Sequence, residues 1–223
     1  MIANKFAVVF PGQGSQSVGM IADLAAAHPF ILDSFKQASE VLNYDLWDLI
    51  QNGPAEKLNQ TEFTQPALLA ASIAVWNVYI KNNPHHLPSV LAGHSLGEYT
   101  ALVAAGSLAF TDAIKLVAAR GKFMQEAVPA DVGAMAAILG IDDHKVISNL
   151  IAEFDTVEVA NLNAIGQTVI AGKKNSVLLA IEKLKNNGAK LAKLLDVSVP
   201  SHCSLMQPAA DQLEQLLKQT NFK

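Results

Sequence analysis

Pro88-Ser89-Val90-Leu91-Ala92-Gly93-His94-Ser95-Leu96-Gly97-Glu98-Tyr99 decides the reading of this chain. A short apolar run from Pro88 to Gly93 reads as a buried strand, and Gly97 to Ala105 reads as a helix. Between them, Gly93-His94-Ser95-Leu96-Gly97 fits G-x-S-x-G. A serine at such a strand-to-helix turn projects its hydroxyl from a sharp bend, and glycine two residues away on each side lets strand and helix pass closely. The helix beginning at Gly97 turns free N–H groups and its positive end toward the reacting centre. Ser95 is therefore the candidate nucleophile, and the amide of Leu96 the natural first oxyanion donor.

Outward from this turn, a second strand-turn stands at the N-terminus. Phe6 to Phe10 reads as a strand that runs into Pro11-Gly12-Gln13-Gly14-Ser15-Gln16. Ligand crevices in αβ sheets lie beyond the carboxyl ends of the strands. Gln13 and Ser95 both follow strands directly, so the amide of Gln13 is the candidate second oxyanion donor. Gly12-Gln13-Gly14 lacks the third glycine and the later acid of a dinucleotide fingerprint. A nucleophilic serine needs a base. Of the six histidines, His85 and His86 fall in a polar Asn-Pro loop, His28 and His144 read as surface, and His94 points away from the serine side of its own turn. His202 follows Val199-Pro200 at a strand end and is expected to open a helix capped by Ser201, which makes it the candidate base. No acid between Ser95 and His202 stands out as a third member.

Helices are expected near 19–27, 30–42, Asp45 to Gln51 and Gln65 to Ile80, and from Thr111 to Gln125 with Thr111 as N-cap. Arg120 lies at helical spacing between Leu116 and Met124, on the stripe marked by Ala113 and Val117. A guanidinium on an apolar face demands a planar anion. Either an acidic side chain or a substrate carboxylate meets that demand. After Pro129 the pattern becomes strand (Gly133 to Gly140), helix (Asp142 to Phe154), strand (Val157 to Asn161), strand (Gln167 to Ala171), helix (Ser176 to Asn187), strand (Leu191 to Val199). That order is the split βαβ arrangement of ferredoxin-like domains. It divides the chain into an αβ layer structure at 1–128 and 199–223 and an insert at 129–198.

Composition bounds the function. The 223 residues are 51% apolar and 16% charged, with a formal net charge of -4. That excludes a disordered chain, and the mild acidity argues against nucleic acid as a partner. The one cysteine, Cys203, can form neither an intrachain disulfide nor a cysteine zinc cage, which fits a reducing cytoplasm. The longest apolar stretch, Pro66 to Trp76, is too short to span a bilayer. From Ala160 to Lys193 six lysines face one acid, Glu182, a candidate docking face for an acidic partner.

These residues carry a resemblance to the malonyl-CoA:acyl carrier protein transacylases. Phe10-Pro11-Gly12-Gln13-Gly14-Ser15-Gln16, Thr64-Gln65-Pro66-Ala67, Gly93-His94-Ser95-Leu96-Gly97-Glu98-Tyr99, Arg120-Gly121-Lys122-Phe123-Met124-Gln125 and Pro200-Ser201-His202-Cys203 look like that family's blocks, in its order. The resemblance implies an α/β fold, an αβ-hydrolase-like large subdomain with a ferredoxin-like insert. It implies Ser95 as the acylated nucleophile, His202 as its base, and the Gln13 and Leu96 amides as the oxyanion hole. Arg120 would hold a malonyl carboxylate, with Gln65, His94 and Asn163 near the pocket. Malonyl-CoA and acyl carrier protein are the implied partners, with coenzyme A thioester as substrate and no cofactor or metal. A cytoplasmic monomer is expected, without a membrane partner. Family members continue beyond Lys223 and supply there a residue that orients the histidine, so the 223-residue form is expected to be less active. A serine thioesterase or esterase, and a non-catalytic malonyl-CoA or carrier-binding fragment, are the alternatives.

Overall fold

A computed structural model of the chain describes residues 5–129, 131–195, 197 and 199–223. Two compact units emerge. One comprises Met1–Lys122 with Gln215–Lys223, the other Phe123–Glu214.

In the first unit, β1 (Ala7–Phe10) and β2 (Val90–Gly93) pair in parallel, with Phe10 opposite Gly93. Both strands therefore end at one edge. Around them run helices α1 (Ala22–Ala27), α2 (Leu32–Leu42), α3 (Leu46–Asn52), α4 (Ala55–Leu58), α5 (Thr61–Asn82), α6 (Gly97–Ala104) and most of α7 (Phe110–Glu126). α3 has the cap its sequence offers: Asp45 accepts from the Asp48 amide at 2.9 Å. α4, which follows Gly53-Pro54, is not among the helices expected from the sequence.

In this unit two helical expectations change. α5 begins at Thr61, four residues before the expected start at Gln65, and carries Pro66 inside it. Thr64 ties that first turn together. Its hydroxyl donates to the carbonyls of Leu58 (2.6 Å) and Gln60 (3.0 Å). At 22 residues, α5 is long and apolar enough to cross a bilayer by length and composition. Twelve of its residues, Thr61, Thr64 and Gln65 among them, are buried within the protein. That burial is the mark of a core helix. α7 begins at Phe110, so Thr111 lies within its first turn and is not the cap. The stripe on α7 is as read: Ala113, Leu116, Val117 and Met124 are buried.

The second unit is built on β3 (Gly133–Leu139), α8 (His144–Ile151), β4 (Val157–Ala164), β5 (Gln167–Lys173), α9 (Lys174–Asn186) and β6 (Leu191–Leu194). The sheet order is β4-β5-β3-β6, every pair antiparallel, which is the topology of a split βαβ repeat. Period-two alternation divides its faces. Ala136, Ile138, Val157 and Ile170 pack under α8 and α9 with Ile147, Ile151, Val177 and Leu184. Met135, Val169 and Ala171 face the other way and pack on Cys203. The expected strand through Val199 ends at Leu194. Residues 196 and 198 of it lie outside the described residues.

The helix expected from Ser201 does not start there. A 3₁₀ turn at Ser204–Met206 precedes α10 (Gln207–Gln219), and His202 sits in the loop before it with φ +61°.

Candidate active site

The parallel pairing of β1 with β2 brings their two turns together. The amide of His94 donates to the Phe10 carbonyl at 3.1 Å, extending the ladder past the strand ends. A Cβ on Gly12 would stand 2.8 Å from the His94 carbonyl oxygen. A Cβ on Gly97 would stand 2.3 Å from the Phe10 carbonyl oxygen, and one on Gly93 would stand 1.9 Å from the Gly97 carbonyl carbon. Both glycines of the G-x-S-x-G turn are thus required by backbone contact. Ser95 itself has φ +53°, a left-handed conformation that is strained for a serine and lifts its side chain out of the bend.

Arg120 meets Ser95 directly. Its Nη2 donates to Ser95 Oγ at 3.1 Å, and its Nη1 donates to Gln65 Oε1 at 2.8 Å. Gln65 is fully buried on α5. Arg120 is the chain's one arginine, and among the described residues no carboxylate lies within 4 Å of it. The acidic partner that composition allowed is therefore not what satisfies it. Burial holds the guanidinium below its ordinary pKa, while Tyr99 and Glu98 pull the other way. Arginine still stays cationic at neutral pH. A half-desolvated cation beside a hydroxyl, held by a neutral amide, is a site poised for an anion.

Gln13 is drawn into the same cluster: its Nε2 donates to Thr61 Oγ1 at 3.1 Å. Thr61 and Gln65 lie four residues apart on α5 and so share a face. Leu96 is buried at the start of α6. Tyr99 was not singled out in the sequence, yet the Arg120 Cζ lies 5.8 Å from its ring centroid. The spacing could have revealed it, since Tyr99 is four residues after Ser95 at the head of a helix. Ser95, Arg120, Gln65, Gln13, Leu96 and His94 are all in the first unit.

His202 and Asn163 belong to the second. Asn163 is exposed near the end of β4, where the register with β5 shifts between Leu162 and Ala164. His202 is exposed too, and its neighbour Cys203 is buried, with Sγ donating to the Pro200 carbonyl at 3.1 Å. Burial pushes the Cys203 thiol up from its usual pKa. A buried, protonated thiol is a packing group rather than a nucleophile.

The lysine run in this unit is largely neutralised. Lys173 pairs with Asp155 (2.6 Å), Lys174 with Asp131 (3.3 Å), Lys183 with Glu153 (2.8 Å) and Lys185 with Glu182 (3.1 Å). Three of these acids precede residue 160, which is why counting from Ala160 exaggerated the positive charge. Among the described residues, no group of three or more metal-ligating side chains is clustered.

The acyl transferase domain family matches residues 7–223. A malonyl CoA-acyl carrier protein transacylase of Haemophilus influenzae is 58% identical over 212 residues, covering 94% of this chain and 68% of the relative. The crystal structure of an acyl carrier protein S-malonyltransferase from Vibrio cholerae is 55% identical, with a TM-score of 0.93, and covers 99% of this chain and 72% of that one. A malonyl-transacylase solved in complex with its type II polyketide synthase acyl carrier protein is 53% identical, with a TM-score of 0.95, over 99% and 72%.

Proposed function

The chain belongs to the acyl transferase family, and from that premise we propose that it moves a malonyl group from coenzyme A to the phosphopantetheine thiol of an acyl carrier protein, a step of fatty-acid synthesis. The observation that carries the reading is the 3.1 Å bond from Arg120 to Ser95 Oγ. It places the chain's one arginine, free of any acidic partner among the described residues, against the candidate nucleophile. A substrate whose acyl group ends in a free carboxylate supplies the missing anion.

The reaction then runs in two halves. Ser95 Oγ attacks the thioester carbonyl as His202 takes its proton. The carbon–sulfur bond breaks, and coenzyme A leaves as the thiol with the proton from His202. The phosphopantetheine thiol next attacks the malonyl-Ser95 ester, gives its proton to His202, and Ser95 recovers it as the oxygen departs. The role of His202 rests on the Pro200-Ser201-His202-Cys203 block. The amides of Gln13 and Leu96, each in the turn that follows one of the two paired strands, serve the oxyanion, a role the resemblance supports. Arg120 grips the carboxylate with two N–H groups. Gln65 holds the guanidinium in the plane this requires; for His94 and Asn163 the resemblance alone supports a role near the substrate. Thioester and serine ester are close in energy, so proton transfer and charge stabilisation suffice without a cofactor. A cytoplasmic location accompanies this reading, supported by the lone unpaired thiol.

The test is mass spectrometry of the intact chain after exposure to malonyl-CoA. A malonyl adduct mapped to Ser95, lost in Ser95→Ala and discharged by holo acyl carrier protein, is the expected result. An adduct discharged by water as fast as by carrier protein would make the chain a thioesterase. No adduct at all would refute the catalytic reading.

A further inference from the structure

His202 occupies a backbone conformation that its own sequence does not favour. Its φ of +61° is left-handed, uncommon for a non-glycine residue and kept only where the surroundings over-determine it. The loop around it is held on both sides. Before it, the Pro200 ring lies on the backbone of Gly133, so closely that a Cβ there would stand 2.3 Å from Pro200 Cγ. After it, Cys203 packs against Met135 and Ala171, and its carbonyl accepts from the Met206 amide at 2.9 Å.

One polar contact completes this. Glu158 Oε1 accepts from the Ser204 amide at 3.1 Å and from the Ser204 hydroxyl. The register explains why Glu158 is there. It stands opposite Ala171 on β5, and Ala171 stands opposite Met135 on β3. The three form a row across the sheet, on the face that carries Cys203 and not the face under α8 and α9. The carboxylate therefore rises beside the residue that packs on its own row, and captures the next residue of the loop.

We propose that Glu158 is a positioning residue for His202, acting through Ser204. It caps the 3₁₀ turn that follows the histidine, as a helix-capping carboxylate would, and so fixes the end of a strained loop whose other end is fixed by packing. The inference rests on the reading of His202 as the base. It assigns Glu158 no contact with substrate.

Five variants test it in the full chain: Glu158→Ala, Glu158→Gln, Ser204→Ala, His202→Ala, and Glu158→Ala combined with His202→Ala. The Glu158→Ala change is expected to lower kcat for malonyl transfer by about tenfold to a hundredfold, the scale of a misplaced catalytic group. KM for malonyl-CoA should stay within about twofold, because no substrate contact is lost. Glu158→Gln keeps an oxygen that accepts both bonds and should recover most of the rate, and Ser204→Ala should fall between. With His202 already removed, loss of Glu158 should change kcat no further. An independent readout needs no turnover: amide exchange across 202–206 should quicken by at least about fivefold in Glu158→Ala with the unfolding midpoint little moved. Wild-type kcat in Glu158→Ala, or a further loss in the His202→Ala background, would overturn the proposal. Unchanged amide exchange would overturn it as well, whatever the activity. If the wild-type chain forms no adduct on Ser95, the functional reading fails, and the exchange measurement alone decides whether Glu158 anchors the loop.

Discussion

Ser95 and Arg120 are joined by one hydrogen bond, Nη2 to Oγ at 3.1 Å, between the turn after β2 and the middle of α7. That bond couples the candidate nucleophile to the candidate anion clamp. Replacing Arg120 with Ala should therefore raise KM for malonyl-CoA and relax the preference for malonyl over acetyl. A charge-assisted bidentate contact is worth about 1.5–3 kcal/mol per bond, so a KM increase of about tenfold or more is expected. Arg120→Lys should restore little, because a point charge cannot grip a carboxylate and Gln65 together. Steady-state kinetics with both thioesters provide the measurement. Malonyl preference that survives Arg120→Ala would remove Arg120 from the clamp.

Gln65 accepts from Arg120 Nη1 at 2.8 Å, and its neutrality matters. Gln65→Leu leaves a partly buried guanidinium short of one acceptor, at a cost of about 1–3 kcal/mol in stability. Gln65→Glu satisfies the geometry but gives Arg120 a resident carboxylate. That variant should be at least as stable as wild type yet bind malonyl-CoA worse than Gln65→Leu. Urea unfolding and KM, measured side by side, separate the two effects. Equal KM in both variants would show that charge at Gln65 is irrelevant.

Gly97→Ala should be among the most damaging single-methyl changes in the first unit. Its Cβ would lie 2.3 Å from the Phe10 carbonyl oxygen, and backbone cannot yield there without parting β1 from α6. Overpacking of this kind costs about 1–3 kcal/mol and here should reach the upper end. The same shift moves the Leu96 amide and Ser95. Chemical denaturation should show the loss, and malonylation of Ser95 should fall with it. Wild-type stability in Gly97→Ala would contradict the close approach.

Cys203 should resist thiol reagents in the folded chain. Burial raises its pKa, so the thiolate fraction at neutral pH is smaller than for a free cysteine, and the sulfur donates to the Pro200 carbonyl. Labelling with a maleimide or disulfide reagent should be slow at pH 7, rise with pH, and become rapid on unfolding. Fast labelling of the native chain would mean that the 200–206 loop opens.

Local pattern read much of this chain correctly, for identifiable reasons. Gly93 and Gly97 were placed by the need for two backbones to pass, and a Cβ on either would meet main chain. The strand expected from Gly133 to Gly140 is β3, Gly133–Leu139. The expected bounds failed where a side-chain hydrogen bond, local or distant, accompanies an element end. Thr64 carries α5 back to Thr61 through Pro66, which propensity alone would have placed at a helix start. The Glu158 carboxylate caps the turn at Ser204, so the segment after Pro200 is a pinned loop and not the first turn of a helix.

What the sequence by itself determined is the chemistry on offer: a serine in a glycine-flanked turn, one arginine on an apolar stripe, and a histidine in the Pro200-Ser201-His202-Cys203 block. Spacing along the chain suffices for these, because a turn, a helical face and a strand face are local consequences of backbone geometry. Which partner satisfies Arg120 was decided only by tertiary structure. Sequence left an acidic side chain and a substrate carboxylate both open. Packing α5 against the site put the amide of Gln65, 55 residues away in the chain, against Nη1, and brought Nη2 to Ser95. A buried cation takes whatever acceptor the fold delivers, and here the fold delivers a neutral amide and a hydroxyl.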